Sequence, residues 1–550
     1  MFRLLGGRTG HYALLVLLAG TIFLANLGGP SLWDIDEGNN AEASREMMER
    51  GDWVVPTFNF ELRTDKPALL YWLQIGSYRM FGVNEAAARL PSAVAALFTV
   101  LLVYELGRLL FGAAAGLLAG VILASTVMFG AAAHFANPDA LLNLFTALTL
   151  FLFWRGYSRA SGNWFIPAGL SAGFAMLAKG PVGLVLPGAV VLVFLLWERR
   201  LLVLRDWRLG LGFIAFLLVA APWYALVGAD TKGEFLRGFF LTHNFRRFGS
   251  AMENHGGPIY YYLLVLLVGF APWSAFVGPA GWYGIRLLRS RPTEEAAAYR
   301  ASLRFLWCWV AVYFVFFSAS GTKLPNYILP LYPPTALLTA HFLDGWRRGL
   351  IQPPPWVMRM CLLILALTGV VFSAGTLLAS GVLPLSFMRG RFLPGLQTTA
   401  ILGLVLLWGA IVARSYLVRR QPTAVMTACA ASASLFLAAL LAWAGPALNT
   451  FKAPRTVAAL IAAHQTEREI RIGSYQYFQP SLVFYARHQV DPMYRDEDVL
   501  EFLESPLAAY LVVPAPAWDE LQGRVRIPYR VIGRQRDLYK HCDVVVVTNR

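Results

Sequence analysis

Residues 32–72 read LWDIDEGNNAEASREMMERGDWVVPTFNFELRTDKPALLYW. Asp34, Asp36, Glu37, Asp65 and Lys66 fall in this one polar interval, directly after the first apolar segment. The surrounding chain is oily. Of its 550 residues 57% are hydrophobic and 14% charged, and its mean hydropathy is +0.53. Apolar runs of about 20 residues recur along it, each long enough to cross a hydrocarbon core of roughly 30 Å. A polar interval of this length beside a membrane needs a reason, and the rest of the sequence is best weighed against it.

Within the interval, Asn40 to Arg50 reads as a short helix. Ala41, Ala43, Met47 and Met48 form its apolar face, and Glu42, Arg45, Glu46, Glu49 and Arg50 its polar one. That pattern predicts a helix lying flat at the membrane interface. Gly51-Asp52 ends it, and Trp53 to Thr57 is expected to be extended, because Pro56 disfavours helix in the residue before it. Asp65-Lys66-Pro67 opens a second helix, with proline in its first turn. Tyr71 and Trp72 suit the membrane–water boundary. The expectation is two interfacial helices joined by a strand-like bridge, roofing the bundle.

Thirteen spans are expected, near 11–28, 87–107, 112–130, 140–157, 164–178, 181–197, 209–227, 259–283, 303–319, 327–345, 356–379, 397–413 and 424–444. Arg3 and Arg8 precede the first, but its apolar run is long for a signal peptide and LANLGGP is a poor cleavage site, so it reads as an uncleaved anchor. With a cytoplasmic N-terminus, alternate short loops carry Arg108, Arg155 and Arg159, Arg199 to Arg208, Arg286 to Arg304, Arg347 to Arg359, and Arg414 to Arg420. That is a positive-inside pattern. It explains the net charge of +15 by dispersed topological signals, without nucleic acid as a partner. Cys308, Cys361, Cys429 and Cys542 show neither metal spacing nor a disulfide framework.

This orientation puts the unusual polar residues on the outer side. Asn137-Pro138-Asp139 begins the fourth span, where Asp139 by itself fits a helix N-cap, a role aspartate often fills. His134 shares that turn. LAKGPVG (177–183) sets Lys179 at a span edge, where a lysine commonly snorkels. GEFLRGFFLTHNFRRFGSAMENHGGPIYYY (233–262) holds Arg237, His243, Arg246, Arg247 and His255. It reads equally as an interfacial helix meeting head groups or as a phosphate site, since guanidinium binds phosphate oxygens in pairs. FSASGTKLPNYILPLYPP (317–334) adds Lys323 and prolines at 325, 330, 333 and 334, which break a helix at membrane depth. Broken backbone there is tolerated where it lines a cavity or is buried in protein. Residues 446–550 return to ordinary charge density. Helices are expected at 455–464 and 496–503 and strands at 470–475, 509–513 and 544–547, an outer, periplasmic α/β domain of about 100 residues. Residues 1–445 form the membrane domain, with an outer loop over 30–86.

DEGNNAEASREM, GDWVVPTFN and DKPALLYW, followed by HFANPDALLNLF, LAKGP, KLPNYILP and YPP, resemble the bacterial 4-amino-4-deoxy-L-arabinose (lipid A) transferases and related polyprenyl-phosphate-sugar-dependent glycosyltransferases, a group that includes the protein O-mannosyltransferases. The resemblance runs in order over roughly 30–335, and the joint match is specific although each motif alone is weak. It implies the multi-span fold of the membrane-embedded C class (GT-C), an active site on the periplasmic side of a bacterial inner membrane, and a polyprenyl (undecaprenyl) phosphate sugar as donor. The acceptor would be lipid A or another glycolipid or protein. One departure stands out. The aminoarabinose transferases usually read D-E-x-R-Y-A-E where this chain has Asp36-Glu37-Gly38-Asn39-Asn40-Ala41-Glu42, so the acid is kept and the Arg-Tyr pair is not.

Charge then assigns roles. Cations aimed at the leaving phosphate would stabilise the charge that develops in the transition state. The candidates are Lys66, Arg246 and Arg247, with Lys323 and Lys179 behind them. Asp36, with Asp139 and Glu37 beside it, is the candidate for chemistry: a general base for a hydroxyl acceptor, or a positioning group for a phosphate acceptor that is already ionised. A divalent ion would suit these carboxylates, with His134, His243 or His255 favouring zinc, though no spacing demands a metal and no organic cofactor is implied. A transporter or flippase would place ionisable groups at mid-membrane, whereas here they gather at span ends. A lipid-linked sugar ligase would carry its large loop late in the chain. A scaffold would leave the clustering unexplained.

Overall fold

The computed structural model describes residues 7–246, 256–289, 294–383 and 392–550. Among these, seven helices are long and apolar enough to cross a membrane: Glu85–Phe111, Asp139–Ser158, Arg208–Asp230, Tyr299–Ala319, Pro355–Ser380, Leu396–Val418 and Pro422–Phe451. Counting two bent pairs as single spans raises the number to nine. The architecture is a multi-span helical bundle. Other apolar segments form helices of fewer than 18 residues, close to their expected bounds. The helix Phe165–Lys179, for example, stops at Gly180-Pro181.

In chain order, α1 (Arg8–Leu24), α4 (Glu85–Phe111) and α5 (Ala113–Ala124) pack together in the main core. α4 and α5 touch at Gly107, where a Cβ would lie 2.7 Å from the Gly116 Cα, so only glycine permits the approach. α5 breaks by 68° before α6 (Val127–Ala133), and helices Tyr261–Gly269 and Ser274–Arg289 meet at 116°. The two breaks face each other. Val127 N donates to Ala271 O at 3.0 Å and Trp273 Nε1 to Ser125 Oγ at 2.8 Å. Each interruption thus supplies partners for backbone groups the other has freed, as membrane interiors require.

The interval 32–72 folds as α2 (Asp36–Arg50), a two-stranded hairpin of β1 (Thr57–Phe58) and β2 (Glu61–Leu62), and α3 (Leu69–Phe81). Asn59 and Phe60 turn the hairpin with positive φ, 54° and 67°, as a tight two-residue turn requires. The expectation of a flat interfacial helix is corrected here. Every α2 residue from Glu37 to Met47 is buried, because the C-terminal helix Pro480–Ala486 lies on one side of it and α3 on the other. Its polar face is satisfied internally. Arg45 pairs with Glu42 and Glu49, and Glu46 accepts from Thr57 Oγ1 and Phe60 N.

Residues 453–548 hold a five-stranded sheet in the order β4–β3–β5–β7–β6, from β3 (Ile470–Tyr475), β4 (Val490–Met493), β5 (Ala508–Pro514), β6 (Arg530–Arg536) and β7 (Asp543–Thr548). β4–β3–β5 are parallel, and β7 and β6 join antiparallel. Alternate residues serve opposite faces. Tyr510, Val512, Val544 and Val546 pack under helices Ala453–His464 and Pro480–Ala486. Leu511, Val513, Val545 and Val547 pack under Asp496–Leu503 and Ala515–Leu521. Burial on both faces makes AAYLVVP and VVVV continuous apolar runs.

Candidate active site

The start of α2 and the turn 134–138 before α7 (Asp139–Ser158) are knitted together. Glu37 Oε1 accepts from Ala136 N at 2.7 Å, Asn40 Nδ2 donates to Ala136 O at 3.0 Å, and Asn137 Nδ2 reaches Asp36 Oδ2 at 3.4 Å. Adjacent carboxylates thereby acquire different characters. Glu37 is fully buried in a two-pronged pair with Arg89, at 2.8 and 2.7 Å, and also accepts from Trp33 N at 2.8 Å. Arg89 uses its remaining donors on the carbonyls of Leu27, Pro30 and Ser31. Glu37 therefore serves as a hub that ties the loop to α4 and turns no open lone pair toward a cleft. Asp36 is half-buried and accepts a long contact from Asn137.

Asp139 does not cap its helix. Pro138 occupies the N-cap, and the Asp139 carboxylate pairs with Lys179 Nζ and accepts from Asn326 Nδ2 at 2.7 Å. Three distant motifs, ANPD, LAKGP and KLPNY, thus meet on one side chain. Lys179 also stands 5.0 Å from the Tyr327 ring centre. The prolines expected to break the chain do so: Pro325–Leu331 is a 3₁₀ helix leading into helix Tyr332–Arg347. Lys323 is buried just before it and donates to the carbonyls of Ser318 and Ser320 at 2.8 and 2.7 Å.

A second cluster lies under the hairpin. Asp65 pairs with Arg63 at 3.1 Å and with His243 Nε2 at 3.0 Å. Burial works to raise the Asp65 pKa, but His243, Arg63 and Lys66 together hold it well below the usual carboxylate range. The buried Arg63 also donates to Tyr71 OH at 3.1 Å and feels the charge of Asp36. Arg63 escaped the sequence reading. Its signal was its position two residues before Asp65, in a segment already suspected. His243 sits in a π-helical stretch, Arg237–Arg246, a geometry frequent at functional sites. Arg246 is exposed at its end and Lys66 is half-buried. Arg247 and His255 lie outside the described residues.

His134 and His243, the two of the three candidate histidines within the described residues, are engaged at separate places. His134 is buried with its ring nitrogens 3.2 Å from Gly130 O and 3.3 Å from Ala25 O, while His243 engages Asp65. Among the described residues, no three His, Cys, Asp or Glu side chains converge as metal ligands.

Polar clusters at one end of a helical bundle, under a loop that follows the first helix, define a membrane-embedded glycosyltransferase fold of the C class. Across 99% of both chains, this one superimposes on the crystal structure of ArnT from Cupriavidus metallidurans bound to undecaprenyl phosphate, with TM-score 0.82 and 26% identity. The archaeal oligosaccharyltransferase AglB from Archaeoglobus fulgidus shares the fold alone, with TM-score 0.53 and 12% identity over 92% of this chain and 69% of that one. Residues 65–225 match the family described as dolichyl-phosphate-mannose-protein mannosyltransferase. The undecaprenyl phosphate-alpha-4-amino-4-deoxy-L-arabinose arabinosyl transferase of Pseudomonas aeruginosa (strain UCBPP-PA14) is 33% identical over 346 residues, 61% of this chain and 60% of that protein. In sequence and in fold the chain is thus similar to lipid-carrier-dependent membrane glycosyltransferases, the aminoarabinose transferases among them. It spans 60–64% of the length of the first curated relatives it matches.

Proposed function

We propose that this protein moves a sugar, 4-amino-4-deoxy-L-arabinose or a related pentose or hexose, from a polyprenyl phosphate carrier to lipid A in a bacterial inner membrane. One observation carries the reading. The bundle matches, over its full length, a structure holding undecaprenyl phosphate, and its own polar clusters combine the half-buried carboxylate of Asp36 with a surround of cationic side chains. Lys66 and Arg246 would meet the donor phosphate, where fixed positive charge favours the leaving group as the glycosidic bond lengthens. Lys179 and Lys323, committed to Asp139 and to carbonyls, would shape the cavity wall and add field.

Asp36 would act on the acceptor. A lipid phosphate arrives ionised, and Asp36 then orients it or pairs with the ammonium of an amino sugar. A hydroxyl acceptor, as the mannosyltransferase match over 65–225 favours, would instead give up its proton to Asp36. A divalent ion would find Asp36 as a carboxylate ligand, but His134 and His243, which would favour zinc, are engaged elsewhere, so no step is routed through a metal.

The topology that fits is thirteen crossings. They are Arg8–Leu24, Glu85–Phe111, the bent pair 113–133, Asp139–Ser158, Phe165–Lys179, Val182–Glu198, Arg208–Asp230, the bent pair 261–289, Glu294–Ala319, Tyr332–Arg347, Pro355–Ser380, Ile401–Val418 and Pro422–Ala439. With a cytoplasmic N-terminus, both the Asp36 cleft and the C-terminal sheet are periplasmic. Mass spectrometry of lipid A and total glycolipids from a deletion strain tests the function. A lost pentosamine-sized increment on lipid A is expected, and an unchanged glycolipid profile would sink the proposal.

A further inference from the structure

A large cavity lies away from Asp36, lined by residues from 346–366 and 410–422. It has a volume of about 1100 Å³ and runs between the helix starting at Pro355 and the one ending at Val418. Arg359, Arg414 and Arg420 line it, with Trp346, Met358, Leu362, Ala366 and Leu417 forming apolar walls. All three arginines are exposed, and among the described residues none is within ion-pair distance of a carboxylate. The contrast with their neighbours is informative. Arg347 and Arg348, at the end of the preceding helix, both pair with Asp344 one turn back, as arginines that close a helix end commonly do. The three cavity arginines come from two sides of one cleft, and Pro353 and Pro355 stiffen its rim.

A second cavity of about 740 Å³ lies on the other flank of helix Pro355–Ser380 and shares Met360 with the first. Its lining is apolar, with Trp282, Tyr283 and Trp356, and carries Arg286 at its edge. The helix between the two clefts is the least buried of the long apolar helices, 22% over its most apolar window, so lipid chains have access to both flanks. A concave, mostly apolar site with a few convergent charged groups is the usual form of a ligand pocket. Basic pockets between transmembrane helices are the usual form of one for anionic lipid head groups.

We propose that this cleft is a binding site for an anionic phospholipid, with the phosphodiester held by Arg359, Arg414 and Arg420 and acyl chains lying along helix Pro355–Ser380. Guanidinium groups suit this ligand because they give paired hydrogen bonds to phosphate oxygens. The site is separate from the donor cleft, so its occupancy bears on anchoring of the last helices and not on sugar transfer itself.

The test is native mass spectrometry of the full chain released from nanodiscs of phosphatidylglycerol mixed with phosphatidylcholine. The wild type should retain phosphatidylglycerol at least tenfold over phosphatidylcholine. The triple variant Arg359→Gln, Arg414→Gln, Arg420→Gln should lose that preference while keeping its sugar-transfer activity. Equal retention of the two lipids by the wild type, or undiminished preference in the triple variant, would overturn the proposal. So would displacement of the lipid by millimolar inorganic phosphate, which would mark a site for free phosphate. Should the triple variant fail to fold, a photoactivatable phosphatidylglycerol on the wild type decides. Label in peptides covering 353–366 and 410–422 supports the site, and label confined to other peptides refutes it.

Discussion

Glu37 and Arg89 form a two-pronged ion pair, at 2.8 and 2.7 Å, with both side chains buried. Removing one partner of such a pair strands a charge away from water and costs about 3–5 kcal/mol. Arg89→Met should therefore lower the unfolding temperature of the detergent-solubilised protein sharply. Glu37→Leu combined with Arg89→Met should recover part of the loss, because no charge is then left buried. A double variant no more stable than Arg89→Met would show that the pair is not the cause.

Asp36, one residue earlier, should behave in the opposite way. It is half-buried and its contact from Asn137 is long, at 3.4 Å, so Asp36→Ala should change stability by less than about 1 kcal/mol. Sugar transfer should fall by at least about a hundredfold if the carboxylate acts on the acceptor. The measurement is transfer to lipid A in membranes with matched protein levels. Wild-type activity in this variant would remove Asp36 from the mechanism.

Lys66→Ala should act on the donor. A charge-assisted contact to phosphate is worth about 1.5–3 kcal/mol, so the KM for the polyprenyl phosphate sugar should rise by about ten- to a hundredfold. The acceptor KM should stay put. A selective rise in the acceptor constant would move Lys66 to the other substrate.

Gly38 directly precedes the Asn39-Asn40 pair at which this chain departs from D-E-x-R-Y-A-E. A Cβ there would lie 2.3 Å from Ser481 N and 2.7 Å from Pro480 C, both backbone. Gly38→Ala must push the C-terminal helix Pro480–Ala486 off α2, at about 1–3 kcal/mol. Faster limited proteolysis of the C-terminal sheet is the expected readout. Unchanged proteolysis would mean that the docking yields without cost.

The same contact should be pH-sensitive. Burial pushes the Asp34 carboxyl up to about 6, against hydrogen bonds from Ser481, and burial pushes Lys452 down to about 7 despite the nearby Glu37, Asp34 and Glu85. Arg89 adds to the lowering of Lys452, and Asp537 to the raising of Asp34. A raised acid pKa gives stability that is present in full below the unfolded value, near 3.8, and lost as pH climbs through about 6. A lowered lysine pKa gives stability that is present above the unfolded value, near 10.5, and lost as pH falls through about 7. The two effects together make docking of the C-terminal sheet weakest between about pH 6 and 7. Thermal unfolding across pH 4–10 should show that minimum, and Asp34→Asn should flatten its acid side. A profile identical to the wild type would exclude Asp34 as its source.

Much of the fold was legible because lipid imposes a simple code. Long apolar runs, arginines at alternate ends and prolines at a span entrance all carry local meaning, and the structure has the helices and the 3₁₀ break where those signals lie. The C-terminal strands at 508–514 and 543–548 were visible for a similar reason, as apolar runs buried on both faces. Short helices such as Pro480–Ala486 and the edge strands β4 and β6 were not, since four to seven residues carry too little pattern.

By itself the sequence determined that this is a many-span membrane protein with an acidic and basic loop after its first helix, because hydropathy and charge act residue by residue. Which acids are open and which are spent was decided only by tertiary structure. Glu37 and Asp36 are neighbours of like chemistry, and they separate because Arg89, 52 positions further along, reaches one of them. Asp139 meets Asn326 across 187 positions. The helix 36–50 looks interfacial on its own pattern, and it is buried because a segment more than 400 residues later closes over it. Burial and pairing of a charge depend on what arrives from elsewhere in the chain, and no local pattern encodes that arrival.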